Sequence, residues 1–77
     1  MQVVLYSRPG CHLCDDARDV ILAERARTRF DFREVDVETD DALELAYGVR
    51  IPVVTVDGEE RFELQVDPAE FARAVAG

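Results

Sequence analysis

The chain has 77 residues, of which 48% are hydrophobic and 34% charged, a balance typical of a folded domain rather than a disordered segment. Acidic residues outnumber basic ones by 17 to 9, and the net charge of −8 argues against binding to nucleic acid or to an anionic membrane. No apolar run approaches the roughly 20 residues of a membrane-spanning helix, and the first residues lack a signal-peptide pattern. We therefore expect residues 1–77 to form one domain, located in the cytoplasm.

The first part of the chain predicts two strands, each followed by a helix. Residues 2–6 are a short apolar run bounded by turn residues, which indicates a buried strand. Residues 11–27 carry apolar side chains at helical spacing, with acids in the first turn and arginines in the last. Alternating apolar residues over about 30–37 predict the second strand. Residues 40–47 predict a short helix, with Gly48 as its C-cap.

The second part of the chain predicts a hairpin and a closing helix. Residues 52–57 read as a strand, Asp57-Gly58 is a strong hairpin turn signal, and residues 60–65 form a weaker partner strand. Asp67 is placed to cap the final helix. The predicted order is β-α-β-α-β-β-α. A right-handed crossover makes the first two strands parallel, and the hairpin is antiparallel. We therefore expect a mixed four-stranded sheet with helices on both faces.

Cys11 and Cys14 are the only cysteines, and they lie at the junction between the first strand and the first helix. A helix N-terminus carries unpaired N–H groups and a partial positive charge, which favour a thiolate over a thiol. The two-residue spacer brings the sulfurs within reach of each other, so a disulfide can close and open. The motif predicts a redox-active pair. Cys11 is the expected nucleophile, because it lies nearer the loop, and Cys14 lies inside the first turn.

The same Cys-x-x-Cys is also half of a typical tetrahedral metal site. The chain has one histidine and no further cysteine, so a closed Cys/His site cannot form within one molecule. The competing interpretation is therefore an iron–sulfur or metal-binding carrier, in which two chains share the cluster or ion through Cys11 and Cys14.

The segment from Tyr6 to Cys14, the segment from Tyr47 to Val53 and the Asp67-led helix together resemble the glutaredoxins, in particular a bacterial glutaredoxin-like branch with a Cys-His-Leu-Cys motif. The resemblance covers essentially the whole chain. It implies a thioredoxin-like fold and a small dithiol–disulfide oxidoreductase that needs no cofactor. It also implies a cis Pro52 lying against the active-site disulfide.

The resemblance implies a substrate site as well. The backbone of Ile51, next to Pro52, would pair with a bound thiol peptide in the manner of strand addition. Arg8 matches a basic residue three positions before the first cysteine, where it would bind a substrate carboxylate and stabilise the Cys11 thiolate. We expect disulfide-containing proteins or small thiols as substrates. A low-molecular-weight thiol or a flavin-dependent reductase would be the electron donor, and the protein would be a monomer.

Two positions depart from the usual glutaredoxin pattern. His12-Leu13 stands between the cysteines where Pro-Tyr is usual, and Leu64-Gln65 stands where a Gly-Gly pair usually lets the backbone approach glutathione. Side chains at the second position would hinder that approach. The sequence therefore predicts weak binding of glutathione.

Overall fold

A computed structural model describes residues 1–76. Within this range the chain forms one four-stranded sheet with three α-helices, and a 3₁₀ turn covers Val37–Thr39. None of these helices has the length and apolarity needed to cross a membrane. The elements are β1 (Gln2–Ser7), α1 (His12–Arg25), β2 (Asp31–Asp36), α2 (Asp41–Tyr47), β3 (Val53–Val56), β4 (Glu59–Glu63) and α3 (Pro68–Val75).

The strands lie in the order β2-β1-β3-β4, and the pairing is mixed. β1 is parallel to β2 and antiparallel to β3, and β4 is antiparallel to β3. The hairpin turn between β3 and β4 has φ of 51° at Asp57 and 84° at Gly58. Two successive left-handed residues match the twist of the flanking strands, which is why Asp-Gly is favoured there. The predicted fold class and topology are confirmed.

The two faces of the sheet are covered by different helices. On one face, Leu5 and Val54 pack with residues of α1 and α3 in the main core. Phe71 of α3 is fully buried there, with its ring centroid 5.8 Å from that of Phe30. On the other face, Tyr6 of β1 stacks on a tyrosine of α2. Alternation along β1 therefore divides its side chains between the two layers.

Gly48 is the C-cap of α2 as predicted, but its backbone is right-handed, with φ of −53°. Its N–H still donates to the carbonyl oxygen of Glu44, so the helical geometry continues through the cap. A Cβ at this position would lie 2.5 Å from the backbone carbonyl oxygen of Glu44 and 2.6 Å from its Oε1. The glycine is needed here because a side chain would clash with that backbone carbonyl, and the left-handed conformation common at C-caps does not occur.

Two elements end two residues earlier than predicted, and the other predicted bounds differ from the observed ones by at most one residue. α1 ends at Arg25, two residues before the predicted limit. β4 ends at Glu63 rather than residue 65, because Leu64 has a left-handed backbone with φ of 69°, which no extended strand can include.

Candidate active site

Cys11 and Cys14 form a disulfide at the start of α1, and their Cα atoms are 5.2 Å apart. Cys11 is the N-cap residue, so its sulfur lies at the helix N-terminus, where it accepts a 3.2 Å hydrogen bond from the N–H of Cys14. Cys14 is fully buried, whereas Cys11 is partly exposed. An incoming thiol therefore reaches Sγ of Cys11 first. This difference in exposure agrees with the sequence-based expectation.

The surroundings of Cys11 favour its ionised form in two ways. The N–H of Cys14 points at the sulfur, and the aligned peptide dipoles of α1 place partial positive charge at the same end. The neighbouring acid Asp15 acts in the opposite direction, but its carboxylate binds Arg18 at 2.9 Å. His12 is exposed in the first turn. The start of α1 therefore places an N–H donor and a partial positive charge at Sγ of Cys11.

The bond between Ile51 and Pro52 is cis, as predicted. Pro52 is fully buried. Because Tyr6 pairs with Val53, the register places Pro52 beside Ser7, where the loop to Cys11 begins. Within residues 1–76, no backbone hydrogen bond engages the N–H or C=O of Ile51. Both groups are therefore available to a bound peptide, and the pairing role of Ile51 stays a prediction.

Arg8 has partners on α2. Its Nη2 donates to Oε1 of Glu44 at 2.7 Å and to the carbonyl oxygen of Gly48 at 3.0 Å, and Glu38 lies 4.0 Å from Nη1. This guanidinium therefore fastens the loop before Cys11 to α2. A substrate carboxylate would have to compete with Glu44 for it, and the predicted substrate contact of Arg8 stays a prediction.

A second ionic network connects α1 to the sheet. Nε of Arg18 donates to Oε1 of Glu34 at 2.7 Å, and the buried hydroxyl of Ser7 donates to Oε2 of Glu34 at 2.7 Å. Hydrogen bonds from Arg18, and secondarily from Ser7, hold the pKa of Glu34 below its usual range. Sequence reasoning missed this network, because its members lie on three separate elements.

A groove of about 490 Å³ opens between α1 and the corner that joins β4 to α3, and we call it the α1–α3 groove. Leu13, which separates the two cysteines, lines it and is 44% exposed. Leu64 lines the opposite wall and is 47% exposed. Six of the residues that line the groove are Leu13, Asp16, Val20, Leu64, Asp67 and Glu70.

Leu64 also connects this groove to the cis-proline loop. Its N–H donates to the carbonyl oxygen of Pro52 at 2.8 Å and to that of Arg50 at 3.3 Å. A left-handed leucine is unusual, because its Cβ crowds the backbone. In the sequence, Leu64 stands out only because it occupies a position where related proteins have a glycine. The strand propensity of leucine alone would predict an ordinary extended residue there.

Aromatic and ionic contacts support the segment before Ile51. Arg50 binds Glu60 of β4 at 2.7 Å and lies 5.5 Å from the ring centroid of Tyr47. That ring stacks on Tyr6 with 4.2 Å between centroids. Burial raises the pKa of the Tyr47 hydroxyl. α2, β1 and β4 thus hold the cis-proline loop from three sides.

Within residues 1–76, no three His, Cys, Asp or Glu side chains are grouped so that they could hold a metal ion. The alternative prediction of a metal or iron–sulfur carrier requires a second chain, so this finding does not test it.

Comparison with known proteins identifies a matching family and several similar structures. A family described as a glutaredoxin-like domain (DUF836) matches residues 2–76. An uncharacterized protein of Mycobacterium tuberculosis is 31% identical over 85 residues, covering 99% of this chain and 88% of that protein. The X-ray structure of a structural genomics target from X. campestris is 32% identical, with a TM-score of 0.81, and the match covers 96% of this chain and 95% of that one.

Reduced Escherichia coli glutaredoxin is also similar in structure. It is 25% identical, with a TM-score of 0.61, and the match covers 99% of this chain and 94% of the glutaredoxin. The likeness extends over the whole sheet and its helices, in agreement with the thioredoxin-like fold predicted from the sequence.

Proposed function

Because this chain belongs to the glutaredoxin-like domain family, we propose that it is a small dithiol–disulfide oxidoreductase that reduces protein or low-molecular-weight disulfides. The asymmetry of the cysteine pair carries the proposal. Sγ of Cys11 is partly exposed and accepts an N–H at a helix N-terminus, whereas Cys14 is fully buried behind it. This arrangement suits a pair in which Cys11 reacts with the substrate and Cys14 acts as the resolving thiol.

The reaction consists of two thiol–disulfide exchanges. The Cys11 thiolate attacks one sulfur of the substrate disulfide. A bond forms between Cys11 and the substrate, the substrate S–S bond breaks, and the other substrate sulfur leaves as a thiolate. Cys14 then loses its proton and attacks Sγ of Cys11. The mixed disulfide breaks, the second substrate thiolate leaves, and the protein keeps the intramolecular disulfide. Two electrons have passed to the substrate.

An external reductant must then restore the dithiol. We propose a flavin-dependent protein reductase, or a thiol other than glutathione, because Leu64-Gln65 stands where the related proteins have two glycines. We further propose that the protein acts in the cytoplasm as a monomer. Neither exchange step requires a cofactor on this chain.

Cysteine variants test the proposal. Cys11→Ser is expected to abolish disulfide reduction, because the accessible sulfur is lost. Cys14→Ser is expected to form a mixed disulfide with substrate that persists, because the resolving thiol is missing. Mass spectrometry under non-reducing conditions detects that adduct. Full turnover by Cys11→Ser would show that the assigned nucleophile is wrong.

Anaerobic purification tests the competing carrier function. The oxidoreductase is expected to be colourless, whereas a chain pair that shares an iron–sulfur cluster through Cys11 would be brown.

A further inference from the structure

We propose that the α1–α3 groove selects the substrate, and that it takes a segment of a disulfide-containing protein in which an apolar side chain lies next to a lysine or arginine. This inference names a substrate class for the oxidoreductase activity proposed above, and so it rests on that activity.

The groove is lined by a residue of the Cys-x-x-Cys motif. Leu13 lies between the two cysteines and forms part of the groove wall. On the opposite wall, Leu64 is hydrogen-bonded through its N–H to Pro52, which precedes β3. A substrate chain joined to Cys11 therefore has this groove directly beside it. Residues flanking the substrate cysteine are in a position to enter it.

The walls of the groove are apolar where they border the redox pair. Leu13 and Leu64, on opposite walls, are both close to half exposed. Val20 lies on the same wall as Leu13, further along α1. Ala17 lies between Leu13 and Val20 on α1 and is almost fully buried. An apolar side chain entering here removes leucine surface from water, which is favourable. One half of the proposed recognition is therefore hydrophobic.

The remaining lining is acidic. Asp16, Asp67 and Glu70 border the groove, and none of the described residues that line it is basic. The carboxylate of Asp67 accepts the N–H of Glu70 at the start of α3. Within residues 1–76, Asp16 and Glu70 are in no salt bridge. No basic side chain in the described part of the chain neutralises these two carboxylates, and both line the groove.

Charge complementarity indicates which kind of substrate segment binds in the groove. A lysine or arginine near the substrate disulfide would meet carboxylates on both walls, and a net charge of −8 strengthens the attraction at longer range. A second copy of this chain would bring its own acidic surface and be repelled. Glutathione carries two carboxylates and one ammonium group, so it meets the same repulsion. A protein segment with one apolar and one basic side chain complements both the leucines and the carboxylates of the groove.

Three synthetic peptides test the assignment. Each is a symmetric disulfide of a short peptide with leucine on one side of the cysteine and lysine, serine or glutamate on the other. The reduced protein is mixed with each, and the second-order rate of reduction is measured. The lysine peptide is expected to react about tenfold faster than the glutamate peptide at low ionic strength, with serine between them. The difference should shrink at about 1 M salt, where the screening length is about 3 Å.

Two matched double variants locate the effect. Asp16→Asn with Glu70→Gln is expected to bring the lysine-to-glutamate rate ratio close to one. Asp31→Asn with Glu59→Gln removes the same total charge from exposed residues at the opposite end of the sheet, and is expected to keep most of the ratio. Urea unfolding of both variants confirms that they are folded.

The possible outcomes separate the two levels of the proposal. Equal rates for the three peptides, or the same loss of selectivity in both double variants, overturn the groove assignment while leaving the oxidoreductase function intact. Failure of the fully reduced protein to reduce any of the peptides overturns the oxidoreductase function itself.

Discussion

Replacement of Leu64 tests the left-handed backbone at the corner between β4 and α3. The φ of 69° costs a leucine about 1–2 kcal/mol, because its Cβ crowds the following carbonyl oxygen. Glycine adopts this conformation freely, although it loses about 0.5–1 kcal/mol of chain entropy on folding. Alanine keeps a Cβ and therefore keeps the strain. Glycine and alanine should thus behave differently at this one position.

The exposure of Leu64 sets the expected magnitudes. The side chain is 47% exposed, so truncation removes roughly half of the 1.5–3 kcal/mol that full burial of a leucine contributes, or about 1 kcal/mol. Leu64→Ala should therefore lower the free energy of unfolding by about 1 kcal/mol, which corresponds to about 4–8 °C in Tm for a domain of this size. In Leu64→Gly, relief of strain offsets most of the loss. Its free energy of unfolding should lie within about 0.5 kcal/mol of wild type.

The assay is urea unfolding followed by circular dichroism, with the cysteines kept in one redox state throughout. Leu45 provides the control, because it lies within α2 and is 89% exposed. There, glycine should be less stable than alanine by about 1 kcal/mol, the usual difference within a helix. The reasoning is refuted if alanine is at least as stable as glycine at position 64.

Three further changes have defined outcomes. Leu64→Gly combined with Gln65→Gly should raise the second-order rate of reduction by glutathione, and an efficient but unchanged rate would show that the missing glycines do not matter. Asp67→Ala removes the cap that accepts the Glu70 N–H at 2.9 Å and should cost about 1 kcal/mol, with most of the loss restored by Asp67→Asn. Hydrogen bonds to Arg18 and Ser7 lower the pKa of Glu34, so its stabilisation is present above a pH of about 4.5 and is lost as the pH falls through the lowered pKa. The difference in unfolding free energy between wild type and Glu34→Gln should therefore be largest near neutral pH and shrink below pH 4.5.

Local patterns predicted most of the fold. The apolar run of β1, the helical spacing of α1, the Asp57-Gly58 turn and the Asp67 cap each follow from nearest-neighbour chemistry. Element ends were less certain, because they depend on tertiary contacts. β4 ends where Leu64 adopts its left-handed conformation, and the N–H of Leu64 then binds carbonyl oxygens of Pro52 and Arg50 in another loop.

The position of the Cys11–Cys14 disulfide at the start of α1 was predictable for a different reason. The spacing of the two cysteines and their position between a strand and a helix are both local features of the sequence, and the cis-proline followed from the family resemblance. The groove was not predictable, because Leu13 and Leu64 meet across it only after α1 and α3 pack on the same face of the sheet. The partners of Arg8 were missed in the same way, since Glu44 lies 36 residues further along the chain.

The two hydrogen bonds from the Leu64 N–H have a consequence for the entropy of substrate binding. They join the β4–α3 corner, which forms one wall of the groove, to the segment that contains Ile51. The two surfaces that we propose to bind the substrate are thus fixed relative to each other before it arrives. The loss of conformational freedom in these loops accompanies folding instead of association, so more of the contact free energy remains for affinity. A surface that is fixed in this way can bind a mobile substrate segment at lower cost, because only the substrate then loses conformational freedom on binding.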